Sequence, residues 1–274
     1  MSYLFPLSIQ LTLPERYRND ENFAEVLRTL QSLEFAGVEL NIVQPERIDP
    51  DDLKNYLNGY GLPMTMFATG ATAKALELSL SSLDEPVRRR SVQKCREFIE
   101  FARLFGAGVI VGFFKGGAGP DREQRCESFR TSLLEIAPRA RENKVPLLIE
   151  ATNRYESAVA NSLDDTHELA SSASDNPFVR ILPDTFHMNI EESNQFASLK
   201  KYAACYDSIH ISDNNRYFPG FGAIRFADFF QFLVDSGYSG GLAIEGNVKQ
   251  DLVSDIRRTI EYLAPRLSLG GSHG

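Results

Sequence analysis

Asp184 and His187 stand where the apolar run 179–182 gives way to Pro-Asp-Thr-Phe-His-Met-Asn-Ile-Glu-Glu, a strand end passing into a loop. Barrel enzymes keep their chemistry at such places. Three further apolar runs close on side chains able to hold a metal: 146–150 on Glu150, 208–210 on His210 and 241–245 on Glu245. A single glutamate at a strand end is most often a solvated rim residue or a cap for the next helix. Four groups at one topological position, Glu150, Asp184, His210 and Glu245, point instead to a shared centre. Three carboxylates and one imidazole make a mixed hard donor set suited to Mn²⁺, Mg²⁺ or Co²⁺, and no Cys joins the set to favour a thiolate-loving metal. Divalent manganese is the expected ion.

Bringing these groups together takes a fold that delivers several strand ends to one place. Along the chain, apolar runs suited to buried parallel strands alternate with segments of helical period, the pattern of repeated βα units. Strands are predicted at 6–11, 37–42, 63–68, 108–113, 146–150, 179–184, 208–212 and 241–245. Between them, Phe23, Val26, Leu27, Leu30 and Leu33 fall on one helical face, as do Cys95, Phe98, Ile99, Ala102 and Phe105. Pro50-Asp51-Asp52 and Asp121-Arg122-Glu123 put acids into first turns, where the helix dipole favours them. Gly37, Gly61 and Gly106 are placed to take left-handed C-caps. The 274 residues suit an α/β fold made of one (β/α)₈ TIM barrel, for which about 250 residues is typical. No low-complexity stretch divides the chain, so 1–267 is read as one catalytic barrel domain and 268–274 as a disordered tail.

Composition narrows the function classes. A hydrophobic content of 43% supports a large core, and 29 Lys plus Arg against 37 Asp plus Glu, net −8, argues against a nucleic-acid partner, which a basic stripe would mark. Cys95, Cys126 and Cys205 are odd in number, widely spaced and without a CxxC pair, so neither a disulfide framework nor a zinc knot is expected. The start carries no basic segment followed by an apolar one, and no apolar run approaches the ~18 residues needed to cross a bilayer. A cytoplasmic protein without a membrane partner is expected.

The loops after the strands carry further candidates. Glu156 lies six residues beyond Glu150, far enough to reach back over a ligand held there; a solvated loop acid is the plainer account. Arg216 is carried close to His210 by a segment whose Pro219 and Gly220 fix a turn, and it can hold a hydroxyl or carbonyl oxygen. A lone histidine is more often a hydrogen-bonded structural group than a catalytic one. His187, three residues past Asp184, is nonetheless within reach of a substrate oxygen, whereas His167 on a predicted helix and His273 in the tail take the structural reading. Lys115, beside Gly116 and Gly117, is a weak candidate for a phosphate or carboxylate hook.

Three motifs sit on these strand ends: Glu-x-x-Asn-Arg-Tyr-Glu at 150–156, Asp-Thr-Phe-His-Met-Asn-Ile-Glu-Glu at 184–192 and His-x-x-Asp-Asn-Asn-Arg-x-x-Pro-Gly-x-Gly at 210–222. They closely resemble the ketose 3-epimerases, which act on tagatose, psicose (allulose) and ribulose-type sugars within the xylose isomerase-like barrel superfamily. The resemblance runs in strand order along nearly the whole chain. It implies that Glu150, Asp184, His210 and Glu245 bind the metal, that Glu156, His187 and Arg216 hold the sugar, and that the protein assembles as a homodimer or homotetramer. It also implies that the metal chelates the oxygens at C2 and C3, with the two glutamates facing opposite sides of C3 as acid and base.

The chemistry agrees with that implication. A proton next to a ketone is too weakly acidic for an unaided carboxylate, so an enediolate must be stabilised as charge builds on O2, which a Lewis-acid metal does. Inversion at C3 requires protons to leave and arrive on opposite faces, hence two bases, whereas a ketose–aldose isomerase shuttles one proton on one face. Glu150 and Glu245 therefore favour epimerisation, and because Glu156 and the acids at the site would repel an anion, a free, uncharged ketose is the expected substrate. An isomerase of the aldose–ketose, hydroxypyruvate or inosose type, or a keto-inositol dehydratase, would use the same barrel and metal. A non-catalytic sugar-binding protein is the reading from another class. The chain departs from the family pattern in having no Trp, so Phe113 and Phe114 are expected to wall the sugar, and in Ala151-Thr152 and Gly246-Asn247 beside two of the ligands.

Overall fold

In the computed structural model residues 3–267 are described, and the tail 268–274, with His273, lies outside them. Eight strands are formed: β1 Leu7–Thr12, β2 Gly37–Asn41, β3 Met64–Ala68, β4 Gly108–Val111, β5 Leu147–Glu150, β6 Val179–Leu182, β7 Ser208–Ile211 and β8 Gly241–Ile244. All pairings are parallel, in the order β6-β5-β4-β3-β2-β1-β8-β7. The remaining seam, between β6 and β7, is joined by a parallel bridge of Asp184 to His210, with the His210 N–H donating to the Pro183 carbonyl at 2.9 Å. The barrel is thus nearly closed, and the residues that close it are two of the four candidate ligands.

Helices return the chain between strands. They are α1 Glu21–Ser32, α2 Pro50–Asn58, α3 Gly70–Ala75, α4 Glu85–Phe105, α5 Arg122–Asn143, α6 Leu163–Ala170, α7 Thr185–Glu191, α8 Gln195–Lys201, α9 Phe226–Asp235 and α10 Leu252–Leu267. Sequence explains the better-marked ends. The Asp20 side chain caps α1 by accepting from the Phe23 N–H, and Asp84 does the same for α4 at Val87. Gly106 ends α4 in the left-handed region at φ 70°, as expected. Gly37 is a correction: it opens β2, and the left-handed residue after α1 is Glu34 at φ 57°. The glycine is required by close approach, since a Cβ there would lie 2.5 Å from the Pro63 carbonyl oxygen. None of the described helices is long and apolar enough to cross a membrane.

Strand parity sets which residues reach the site. Side chains alternate across a strand with a period of two. Val109, Val111, Leu147, Ile149, Ile181, Ile209, Ile211, Leu242 and Ile244 belong to the large core packed beneath the helices. Their neighbours Ile110, Leu148 and Leu182 join Ala68 in a separate small cluster that fills the barrel interior. Glu150 and Asp184 share the parity of Leu148 and Leu182, while His210 and Glu245 share that of Ser208 and Ala243, so all four side chains turn inward at the strands' C-terminal ends.

Candidate metal centre

One donor atom from each of Glu150, Asp184, His210 and Glu245 lies within 4.8 Å of the others. His210 is the hub, with no solvent exposure. Its Nδ1 stands 2.5 Å from Glu245 Oε2, 3.4 Å from Glu150 Oε1 and 4.0 Å from Asp184 Oδ2. Burial opposes an imidazolium, yet Glu39, Glu245 and Glu150 outweigh it and raise the pKa of the ring well above its usual value. Glu245 is driven the other way: Arg216 and His210 overcome burial and hold its carboxyl below the usual range. Glu150 Oε1 is buried without a hydrogen-bond partner among the described residues. Acceptors converging on one point, one of them bare, form a strongly negative focus that a divalent cation satisfies, and the oxygen-rich donor set suits a hard ion.

Local structure holds each donor in place. Asp184 is the N-cap of α7, its Oδ1 accepting from the Phe186 and His187 N–H groups at 2.7 and 3.2 Å, which turns Oδ2 toward the cluster. Glu150 packs against Gly112, where an added Cβ would stand 2.1 Å from Glu150 Oε2. The loop after β7 is knitted by Asp213, whose carboxylate accepts from the N–H groups of Gly220, Gly222 and Ile224. Arg216, in the left-handed region at φ 63°, rides on that loop. It donates to Asp184 Oδ2 at 2.6 Å and stands 3.1 Å from Glu245 Oε2.

The predicted sugar contacts fall at different depths. His187 sits in the first turn of a helix rather than a loop, almost wholly buried, with Nε2 3.9 Å from Glu150 Oε1. Its Nδ1 lies 2.8 Å from Asn153 Nδ2, and that amide nitrogen also donates to Glu156 Oε1 at 2.9 Å while Asn153 Oδ1 accepts from the Tyr155 N–H. These bonds fix the amide orientation, so Nδ1 accepts and the neutral ring carries its proton on Nε2, a donor turned toward the cluster. Glu156 is exposed and joined to His187 through Asn153.

Two expectations near Lys115 are corrected. Phe113 is half exposed at the mouth, but Phe114 is in the core, its ring 5.6 Å from Phe98. Lys115 has no exposure: Nζ donates at 2.8 Å to the Glu150 backbone carbonyl and at 2.8 Å to Thr152 Oγ1. Burial lowers its pKa to about 8 against the opposing pull of Glu150 and Glu156. It is a buried strut under β5 and offers no hook to a phosphate.

Glu39 was missed. It stands in the middle of β2, 2% exposed between Val38 and Leu40, with Oε2 2.9 Å from His210 Nε2. The signal was available: in the apolar run Gly-Val-Glu-Leu, parity turns the acid into the barrel, where a carboxylate needs a partner. An open cavity of about 320 Å³ leads in from the mouth, lined by Gln10, Asn41, Thr69 and Phe113 and reaching Glu150 and Glu245.

The xylose isomerase-like TIM barrel family model matches residues 27–266. The chain is similar to an L-ribulose 3-epimerase of Mesorhizobium japonicum, 30% identical over 231 residues, or 81% of this chain and 75% of that one. It is also similar to a D-psicose 3-epimerase of Enterocloster bolteae, 34% identical over 80% of this chain and 73% of that one. A 3-dehydro-D-guloside 4-epimerase of Escherichia coli is 27% identical over 89% of this chain and 94% of that one. Among solved structures, a D-allulose 3-epimerase of Methylomonas in complex with D-allulose superimposes with a TM-score of 0.80 at 18% identity, over 97% of this chain and 98% of that one. The barrel and this kinship place the chain in the xylose isomerase-like TIM barrel family, among the sugar epimerases, as an enzyme of the isomerase class.

Proposed function

We propose that the enzyme inverts C3 of a free ketose, with Glu150 and Glu245 as the two acid/base groups and Mn²⁺ held by Glu150, Asp184, His210 and Glu245. The observation that carries this reading is a division of labour among the four donors. Glu150 and Glu245 line the open cavity, whereas Asp184 and His210 are wholly buried. The first pair can both hold a cation and touch substrate; the second can only hold. Glu150 on β5 and Glu245 after β8 flank the β6–β7 seam from either side, the disposition that proton removal from one face and delivery to the other demands. When bound, the ion supplies Lewis-acid stabilisation of the negative charge that develops on the sugar oxygens.

The chain's own groups do the rest. One glutamate takes the C3 proton, and the other returns a proton on the far side. His187 donates its Nε2–H to a sugar oxygen, and Arg216, anchored on Asp184, offers a further donor beside Glu245. Glu156 orients His187 through Asn153. The test is a panel of ketoses given to the Mn²⁺-loaded enzyme in D₂O and followed by NMR. C3 epimers carrying deuterium at C3 are the expected products; conversion without label at C3, or an aldose product, would count against this reading.

The substrate is uncharged in this proposal, because acids crowd the cavity's inner end and the nearby lysine is sequestered. Lys115→Ala is expected to leave the preference for free over phosphorylated ketose unchanged and to lower stability. Two buried acceptors lose their donor, which costs about 2 kcal/mol or more, readable as a fall in thermal midpoint. A preference for phosphorylated sugar that vanished in the variant would overturn the assignment.

A further inference from the structure

We infer that Glu39 is a positioning residue of the metal site, fixing which nitrogen of His210 faces the ion. The inference rests on the metal-site reading above and adds a fourth carboxylate to it. A carboxylate only accepts hydrogen bonds. With Glu39 Oε2 2.9 Å from Nε2, the imidazole must carry a proton on Nε2. Nδ1 faces Glu245 at 2.5 Å, with Glu150 and Asp184 beyond, so the same rule puts a second proton there; a cation held by the carboxylates would displace that proton and meet the Nδ1 lone pair, while Nε2–H stays on Glu39. The same hydrogen bond stops the ring from turning over and makes Nδ1 a stronger donor, as outer carboxylates do for metal-bound histidines.

The fold has built this contact at some cost. A carboxylate held at 2% exposure inside a barrel is unfavourable without a polar partner. Glu39 reaches inward because its neighbours Val38 and Leu40 turn to the helix layer. At that point the β2–β3 pairing shifts register, Val38 pairing with Met64 but Glu39 with Met66, an irregularity of the kind that re-aims a side chain. Gln10 pairs with Glu39 across β1 and its side chain bonds Asn41 at 2.6 Å, so the rim residue directly above has its own partner and leaves Glu39 to His210.

The experiment compares Mn²⁺ affinity by titration calorimetry in wild type, Glu39→Leu and Glu39→Gln, with ¹⁵N-histidine NMR on the Mg²⁺-loaded wild type. Glu39→Leu is expected to bind Mn²⁺ about 10- to 100-fold more weakly. Glu39→Gln, whose amide oxygen still accepts from Nε2, is expected to fall between the two. In the wild type the His210 signal, identified by its loss in His210→Ala, should carry a proton on Nε2 and none on Nδ1. Wild-type affinity in Glu39→Leu overturns the inference, as does a proton on Nδ1; the NMR arm stands even if a variant fails to fold. A wild type that binds Mn²⁺ but turns over no ketose refutes the sugar assignment and leaves the role of Glu39 to the affinities. A wild type that binds no divalent ion refutes both.

Discussion

His210→Ala is expected to lose bound Mn²⁺ and ketose epimerisation together. The imidazole is the hub of the cluster, with Nδ1 between 2.5 and 4.0 Å from three carboxylates, and alanine supplies no donor. Removing it also takes away the partner of Glu39, so the three inward acids and Glu39 repel one another with Arg216 as the cation left beside them among the described residues. Metal content after dialysis and turnover should fall in parallel, by at least ~10²-fold in rate, as expected when metal-assisted charge stabilisation is lost. A drop in thermal midpoint should accompany the loss, because an unpaired buried charge is strongly destabilising. Stoichiometric metal in fully active His210→Ala protein would remove His210 from the ligand set and, with it, the parity argument that places the set.

The strands were legible because burial on both faces turns them into apolar runs, and a run ending in an acid or a histidine announces a strand end. Glu150, Asp184, His210 and Glu245 could be found this way. Boundaries were less legible where the backbone turns without changing composition. The strand predicted over 108–113 stops at Val111, since Gly112 bends the chain and Phe113-Phe114-Lys115 form a short 3₁₀ turn. That turn sends Phe113 to the mouth and Phe114 and Lys115 into the interior. Composition alone gives no hint of such a split. The helix that carries His187 is hidden because seven residues are too few to display a period, and its capping Asp184 serves the helix end and the metal cluster at once. Glu39 does not stand at a strand end, so the strand-end pattern does not mark it, although a lone acid within an apolar strand is itself a request for a partner.

The strongest consequence concerns Glu150 and Glu245. Replacing either by Gln keeps an oxygen that can still face the cation but removes the proton acceptor, so turnover should fall by at least ~10²-fold. The two variants should differ in a way that a merely structural role would not produce. With Glu245 left intact, Glu150→Gln should still exchange the C3 proton of one epimer with D₂O, since one base survives on one face; Glu245→Gln should do so for the other epimer. The expectation rests on both glutamates lining the cavity from opposite sides of the β6–β7 seam. Arg216 makes the pair unequal: its guanidinium stands 3.1 Å from Glu245 and helps hold that carboxyl below the usual range. Losing Glu245 therefore also frees an arginine beside the substrate, and Glu245→Gln should shift KM more than Glu150→Gln does. Exchange of the same epimer in both variants would mean that neither glutamate is the required base for that face, and the two-base assignment would fall.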